Sequence, residues 1–159
     1  MTKTSNLETP IDYQQLVEVI GDAVVVADTS GAINLWNPAA ERLFGFTQAE
    51  ALGGSLDLII PERLRERHWA GYRKTIASGE TCYAHAVLSV PAMHRDERTL
   101  SIAFTVGLIY GLQRQVTGIV AVIRDETTRY TEERNLRKRI AELEGQVALD
   151  PSRRGAGRG

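Results

Sequence analysis

"WNPAAERLFGF", residues 36–46, holds a helix-start signal and a helix-stop signal between two aromatic ends. Asn37 can cap a helix that begins at Pro38, where the missing proline N–H removes a donor that a first turn leaves unpaired anyway. Leu43 and Phe44 then supply a face to bury, and Gly45 ends the helix in the left-handed conformation that glycine accepts. Trp36 and Phe46 are expected to pack around this helix rather than to hold a cofactor.

On the N-terminal side, "AVVVAD" (23–28), "TSG" (29–31) and "AINLWN" (32–37) read as strand, tight turn, strand. Ahead of them, Ile11, Leu16, Val19 and Ile20 share one side of an amphipathic helix over 11–21 that Gly21 stops, after a polar, flexible lead over 1–10. On the C-terminal side, Thr47 with Glu50 forms a capping box, and Gly53 and Gly54 close that short helix. After Pro61, Leu64, Trp69, Tyr72 and Ile76 recur at near-helical spacing up to Gly79.

From Cys82 the pattern becomes that of strands. "YAHAVLSVPAMH" (83–94) turns at "RDE", with His94 solvated at that turn; Leu100, Ile102, Phe104 and Val106 then alternate with polar or small residues, and "YGLQRQ" (110–115) turns the chain into "VTGIVAVIRDE" (116–126). Local connections favour an antiparallel meander joined to the first hairpin, hence a five-stranded α+β sheet with helices between its second and third strands. In the last helix, 127–148, Leu136, Ile140, Leu143 and Val147 are separated by 4, 3 and 4 residues, a heptad-type seam. It spans fewer heptads than an isolated coiled coil needs, so its pairing depends on anchorage to a folded domain. The remainder, 149–159, has little to bury and is expected to be a disordered tail.

Hydrophobic residues make up 43% and charged residues 25% of 159, which suits one globular domain of 22–126 between helical extensions. The formal net charge of -1 provides no field to hold a polyanion, so no nucleic-acid partner is expected. No run reaches the roughly 20 apolar residues of a membrane span, and the first residues lack a signal-peptide core, so a cytoplasmic location without membrane contact is expected. Cys82 is the only cysteine, which excludes an internal disulfide and a cysteine-clustered zinc site. There is no nucleophile elbow, phosphate loop or paired-histidine metal motif, so no catalytic residue is assigned and an enzyme is not expected.

The segments around Asp28 and Gly31, "WNPAAERLFG", "IIPERLRERH" (59–68) and "RDETTR" (124–129) follow one another in the order of a PAS domain, a sensory module, which the chain resembles over about residues 15–145. The resemblance implies a pocket between sheet and helices, a homodimer through the terminal helices, and an Asp-x-Thr triplet coupling the core to an output helix. Asp125 and Thr127 occupy that triplet, and Leu16, Ile20, Leu136, Ile140 and Leu143 are the residues expected to pair copies. The pocket would be lined by Trp69, Tyr72, Ile76, Leu100, Ile102, Phe104, Ile119 and Ile123, with Tyr83 or His85 as polar handles, and Gly107, Gly118 and Ala121 leaving room. The flavin subclass requires a cysteine in an "NCRFLQ"-like stretch, where this chain has "GGSLDLII", so flavin-cysteine photochemistry is not expected. Haem stays open, with His85 or His68 as axial ligand and Cys82 behind them. Two readings follow: a sensor whose ligand shifts the pairing of its terminal helices, or a dimerisation scaffold with a filled core.

Overall fold

The computed structural model describes residues 9–81 and 83–149. The expectations for residues 1–8, Cys82 and 150–159 therefore lie outside the described residues. The elements are α1 (Tyr13–Val19), β1 (Ala23–Asp28), β2 (Ile33–Trp36), α2 (Pro38–Phe44), α3 (Gln48–Ala51), α4 (Glu62–Ser78), β3 (Leu88–Met93), β4 (Thr99–Tyr110), β5 (Val116–Asp125) and α5 (Thr127–Leu149), with a 3-10 turn at Leu56–Leu58. The chain divides into two units between Asp125 and Glu126, so α5 is described by itself.

The strands form one antiparallel sheet in the order β2-β1-β5-β4-β3. Side chains alternate across a strand, and the register brings Ala23 opposite Ile123 and Phe104 opposite Ile123, so one face collects Ala23, Val25, Leu100, Ile102 and Ile123. Trp36, Ala40, Phe44, Ala51 and Ile59 pack against that face and complete the core. Trp36 lies 5.3 Å from Phe44 between ring centres and donates its indole N–H to the Phe46 carbonyl at 3.0 Å. The two aromatic ends of the opening stretch thus clasp α2.

Asn37 joins three elements. Its side-chain oxygen accepts from Ala40 N–H at 3.0 Å, capping α2, and from Val24 N–H at 2.8 Å, entering β1. Its amide nitrogen donates to the carbonyls of Val17 in α1 and Asp22, both at 3.1 Å. All four hydrogen-bonding positions of the amide are filled at a site 3% exposed.

Thr47 and Glu50 form the reciprocal capping box at the head of α3. A second clasp holds α4 to the β1–β2 turn: the Tyr72 hydroxyl donates to the Asp28 carbonyl at 2.5 Å, and Trp69 donates its indole N–H to Asp57 Oδ1 at 2.8 Å. The Trp69 ring lies directly on Gly31, whose φ of +85° suits glycine.

Two expectations are corrected. The third strand begins at Leu88, not at Tyr83: Tyr83–Val87 form no ladder with β4, which Tyr83 meets through a single bond, and Val87 is exposed. Pro91 is accommodated because β3 is an edge strand, where its missing N–H costs no ladder bond. His94 is not solvated, since its side chain is 14% exposed and its ring lies over Gly45, where a Cβ would meet it at 2.6 Å. The β3–β4 turn is held there by Arg95, which donates its N–H to the Phe44 carbonyl and pairs with Glu50, both at 2.9 Å.

Candidate functional site

Of the residues expected to line a pocket, Tyr72, Leu100, Ile102, Ile119 and Ile123 are buried, whereas Trp69, Ile76 and Phe104 are half-buried. Leu100, Ile102, Phe104 and Ile123 come together on the helix-covered face of the sheet. Tyr83 and His85 stay exposed in the segment between α4 and β3. Ala121 faces the core with Val25, but Gly107 and Gly118 do not leave room there. Two-residue alternation turns both to the opposite face, where a Cβ on Gly107 would meet Val120 at 3.1 Å and one on Gly118 the Ala27 carbonyl at 3.0 Å.

A cavity of about 470 Å³ lies at the C-terminal end of α4, lined by Gly79, Glu80, Thr81, Ala84, Leu108 and Tyr110. From the sequence only Gly79 stands out among these, as a helix stop, and none as a site residue. The available signal was the even-numbered apolar alternation Leu100 to Val106, which runs on to Leu108 and Tyr110 instead of stopping at a turn.

His68 sits beside α4's clasp, 4.8 Å from the Trp69 ring and 5.8 Å from the Tyr72 ring, with its buried Nδ1 unpartnered among the described residues. Burial lowers its pKa below the ordinary 6.5, against an opposing pull from the Asp57 carboxylate. Tyr72 is pushed up to about 12 by burial and by the Asp28 charge, so its phenol remains a donor to the Asp28 carbonyl. Because His68 takes up a proton more readily unfolded than folded, it adds no pH dependence above about 6.5 and costs stability as pH falls from there through its lowered folded pKa. In urea unfolding at pH 7.5 and 5.5, the wild type should lose more stability on acidification than His68→Gln; equal losses would remove His68 as the cause.

Neither His68 nor His85 lines the cavity, and no cluster of three His, Cys, Asp or Glu side chains could hold a metal ion among the described residues.

Leu16 in α1 is exposed and Ile20 half-buried. Asp22 pairs with Arg124 of β5 through three contacts of 2.9–3.1 Å, a bidentate geometry that fixes the start of β1 against the end of β5. Asp125 is the last residue of β5 and Thr127 the first of α5. Along α5, Leu136, Ile140, Leu143 and Val147 are exposed by between 44% and 64%. No helix among the described residues is long and apolar enough to cross a membrane.

The sensor protein FixL of Bradyrhizobium diazoefficiens is 29% identical over 135 residues, 84% of this chain and 25% of FixL. The signal transduction histidine-protein kinase AtoS of Escherichia coli is 24% identical over 84% of this chain and 20% of its own length. The chain thus spans a quarter or less of these relatives. Among solved structures, the PAS domain of a Colwellia psychrerythraea protein superposes with a TM-score of 0.64 at 23% identity, covering 73% of this chain and 95% of that one. The family model described as the PAS fold matches residues 11–125, which takes in α1 to α4 and the whole sheet, and so the chain belongs to the PAS family.

Proposed function

We propose that the chain is a cytoplasmic, non-enzymatic sensory module that binds a small ligand between α4 and the sheet and passes its state on through pairing of α5 with a second copy. The observation that carries this reading is the seam on α5. Leu136, Ile140, Leu143 and Val147 recur at heptad spacing on a helix with no buried residue, and an apolar stripe of that kind is stabilised by a matching helix. The likeness to FixL and AtoS supports a signalling role. Asp125 and Thr127, at the junction of sheet and helix, are the relay in this reading. Ligand occupancy would act by favouring one of two pairings of α5.

Leu136→Asp and Ile140→Asp each set a carboxylate in the seam opposite its copy. The molar mass from light scattering should fall from that of two chains towards one, with the dimer dissociation constant raised at least about tenfold. If both variants keep the wild-type mass, α5 is not the interface, and the exposed side of α1 with Leu16 replaces it.

A second reading, a ligand-free scaffold, is favoured by the filled core: Trp36, Phe44 and Ile33 are the largest of its fully buried side chains. An absorbance scan of the purified protein, with mass spectrometry of what it releases on denaturation, decides between them. A released molecule or a Soret band supports the sensor. A colourless protein that releases nothing supports the scaffold.

A further inference from the structure

The two edges of β4 are covered to different lengths. β5 pairs with it as far as Tyr110, whereas β3 starts at Leu88, opposite Phe104, and leaves Thr105–Tyr110 without a strand on the other side. One bond is made there: Val106 N–H donates to the Tyr83 carbonyl at 3.1 Å. Successive residues of a strand direct their backbone groups to opposite edges, so Leu108 and Tyr110 present theirs to the same side as Val106. Among the described residues neither has a backbone partner on that side.

The 470 Å³ cavity lies along this edge. Leu108 and Tyr110 form one wall and Gly79, Glu80, Thr81 and Ala84 the other, and the Tyr110 hydroxyl ties the walls by donating to the Gly79 carbonyl at 3.1 Å. Glu80 donates its backbone N–H to Ser78 Oγ at 3.2 Å, while its carboxylate has no ion pair among the described residues.

We propose that the free edge of β4 at Leu108–Tyr110 is a docking site for an extended peptide that adds a strand to the sheet and sets a basic side chain against Glu80. Unpaired donors and acceptors repeating every second residue are matched by another extended backbone, which carries the same repeat. Past the bond at Val106 the free stretch is Leu108–Tyr110, about 10 Å long, room for three residues of an added strand. Glu80 selects the charge, because an exposed carboxylate without an ion pair among the described residues, on a residue beside the edge, favours Lys or Arg over Asp or Glu. The proposal does not depend on the pairing of α5.

The test uses the full chain and a fluorescein-labelled acetyl-Lys-Val-Thr-Val-Lys-Val amide, followed by fluorescence anisotropy. The peptide should bind, and N-methylation at every second residue should weaken it at least about tenfold in one of the two phases. Glu80→Gln in the protein, or Glu for Lys in the peptide, should weaken binding by about fivefold through loss of the charge-assisted contact. Absence of binding at about 1 mM, a affinity of only -4 kcal/mol or so, overturns the proposal. Equal binding of both N-methylated forms also overturns it, in favour of a groove that reads side chains alone. If the Leu136→Asp, Ile140→Asp double variant stays dimeric and rising protein concentration displaces the peptide, the edge belongs to a second copy and the proposal fails.

Discussion

Replacing Asn37 with alanine should lower the unfolding free energy by about 3–4 kcal/mol, the combined effect of a lost helix cap and backbone groups of three segments left unpaired. For a domain of this size that is a fall of roughly 10 °C in Tm. The estimate rests on partners, not on burial alone: Val24 N–H, Ala40 N–H and the carbonyls of Val17 and Asp22 all meet this one amide. Asn37→Asp separates the two halves of the interaction. It keeps both acceptor bonds but turns a carboxylate oxygen towards two carbonyls at a buried site, so at neutral pH it should be no more stable than Asn37→Ala. Asn37→Ser, which can still cap α2 but cannot reach all four groups, should lie between Asn37→Ala and the wild type and remains measurable if the others do not fold. Urea unfolding that puts Asn37→Ala within about 1 kcal/mol of the wild type would show that water replaces the lost bonds.

Gly31→Ala is the second large effect. An added Cβ would lie 2.1 Å from Trp69 Cη2 and 2.3 Å from Cζ3, and the backbone stands at φ +85°, where an L side chain is strained. Trp69 has little freedom to retreat because its indole N–H is bonded to Asp57. Conformational strain and overpacking together predict a loss of about 2–4 kcal/mol. The emission of Trp69 should shift to the red as its ring is pushed outwards, while Trp36 stays buried. Trp69→Ala removes the obstructing ring, so Gly31→Ala in that background should cost only the strain at φ. An undiminished cost in that background would exclude the ring contact as the cause.

Both sites show what a linear sequence carries. The Asn37 cap, the Pro38 first turn and the Gly45 stop are local, with all partners within a few residues, and α2 was legible from eleven residues of chain. The bonds from Asn37 to Val17, Asp22 and Val24 span 13–20 residues and depend on where α1 and β1 arrive, which periodicity does not encode. The same holds for His94, whose surroundings come from Gly45 on another element, and for the clasp of Trp69 on Gly31. Strand alternation put Leu100, Ile102 and Phe104 on one face of β4, yet Gly107 and Gly118 fell on the face opposite to the one expected, and the count of apolar residues said nothing of how far β3 runs beside β4. The cavity at that uncovered edge was therefore missed, and the expected lining residues were those that a packed sheet face supplies.

The pairing of Asn37 with Pro38 also bears on how the protein ages. Spontaneous deamidation of asparagine proceeds when the next residue's backbone nitrogen loses its proton and attacks the side-chain carbonyl to close a cyclic imide. Proline has no such proton, and the Asn37 amide is held by four bonds that keep it from turning. The residue on which three segments converge is thereby shielded from slow conversion to aspartate, the change that would set a negative charge at their junction.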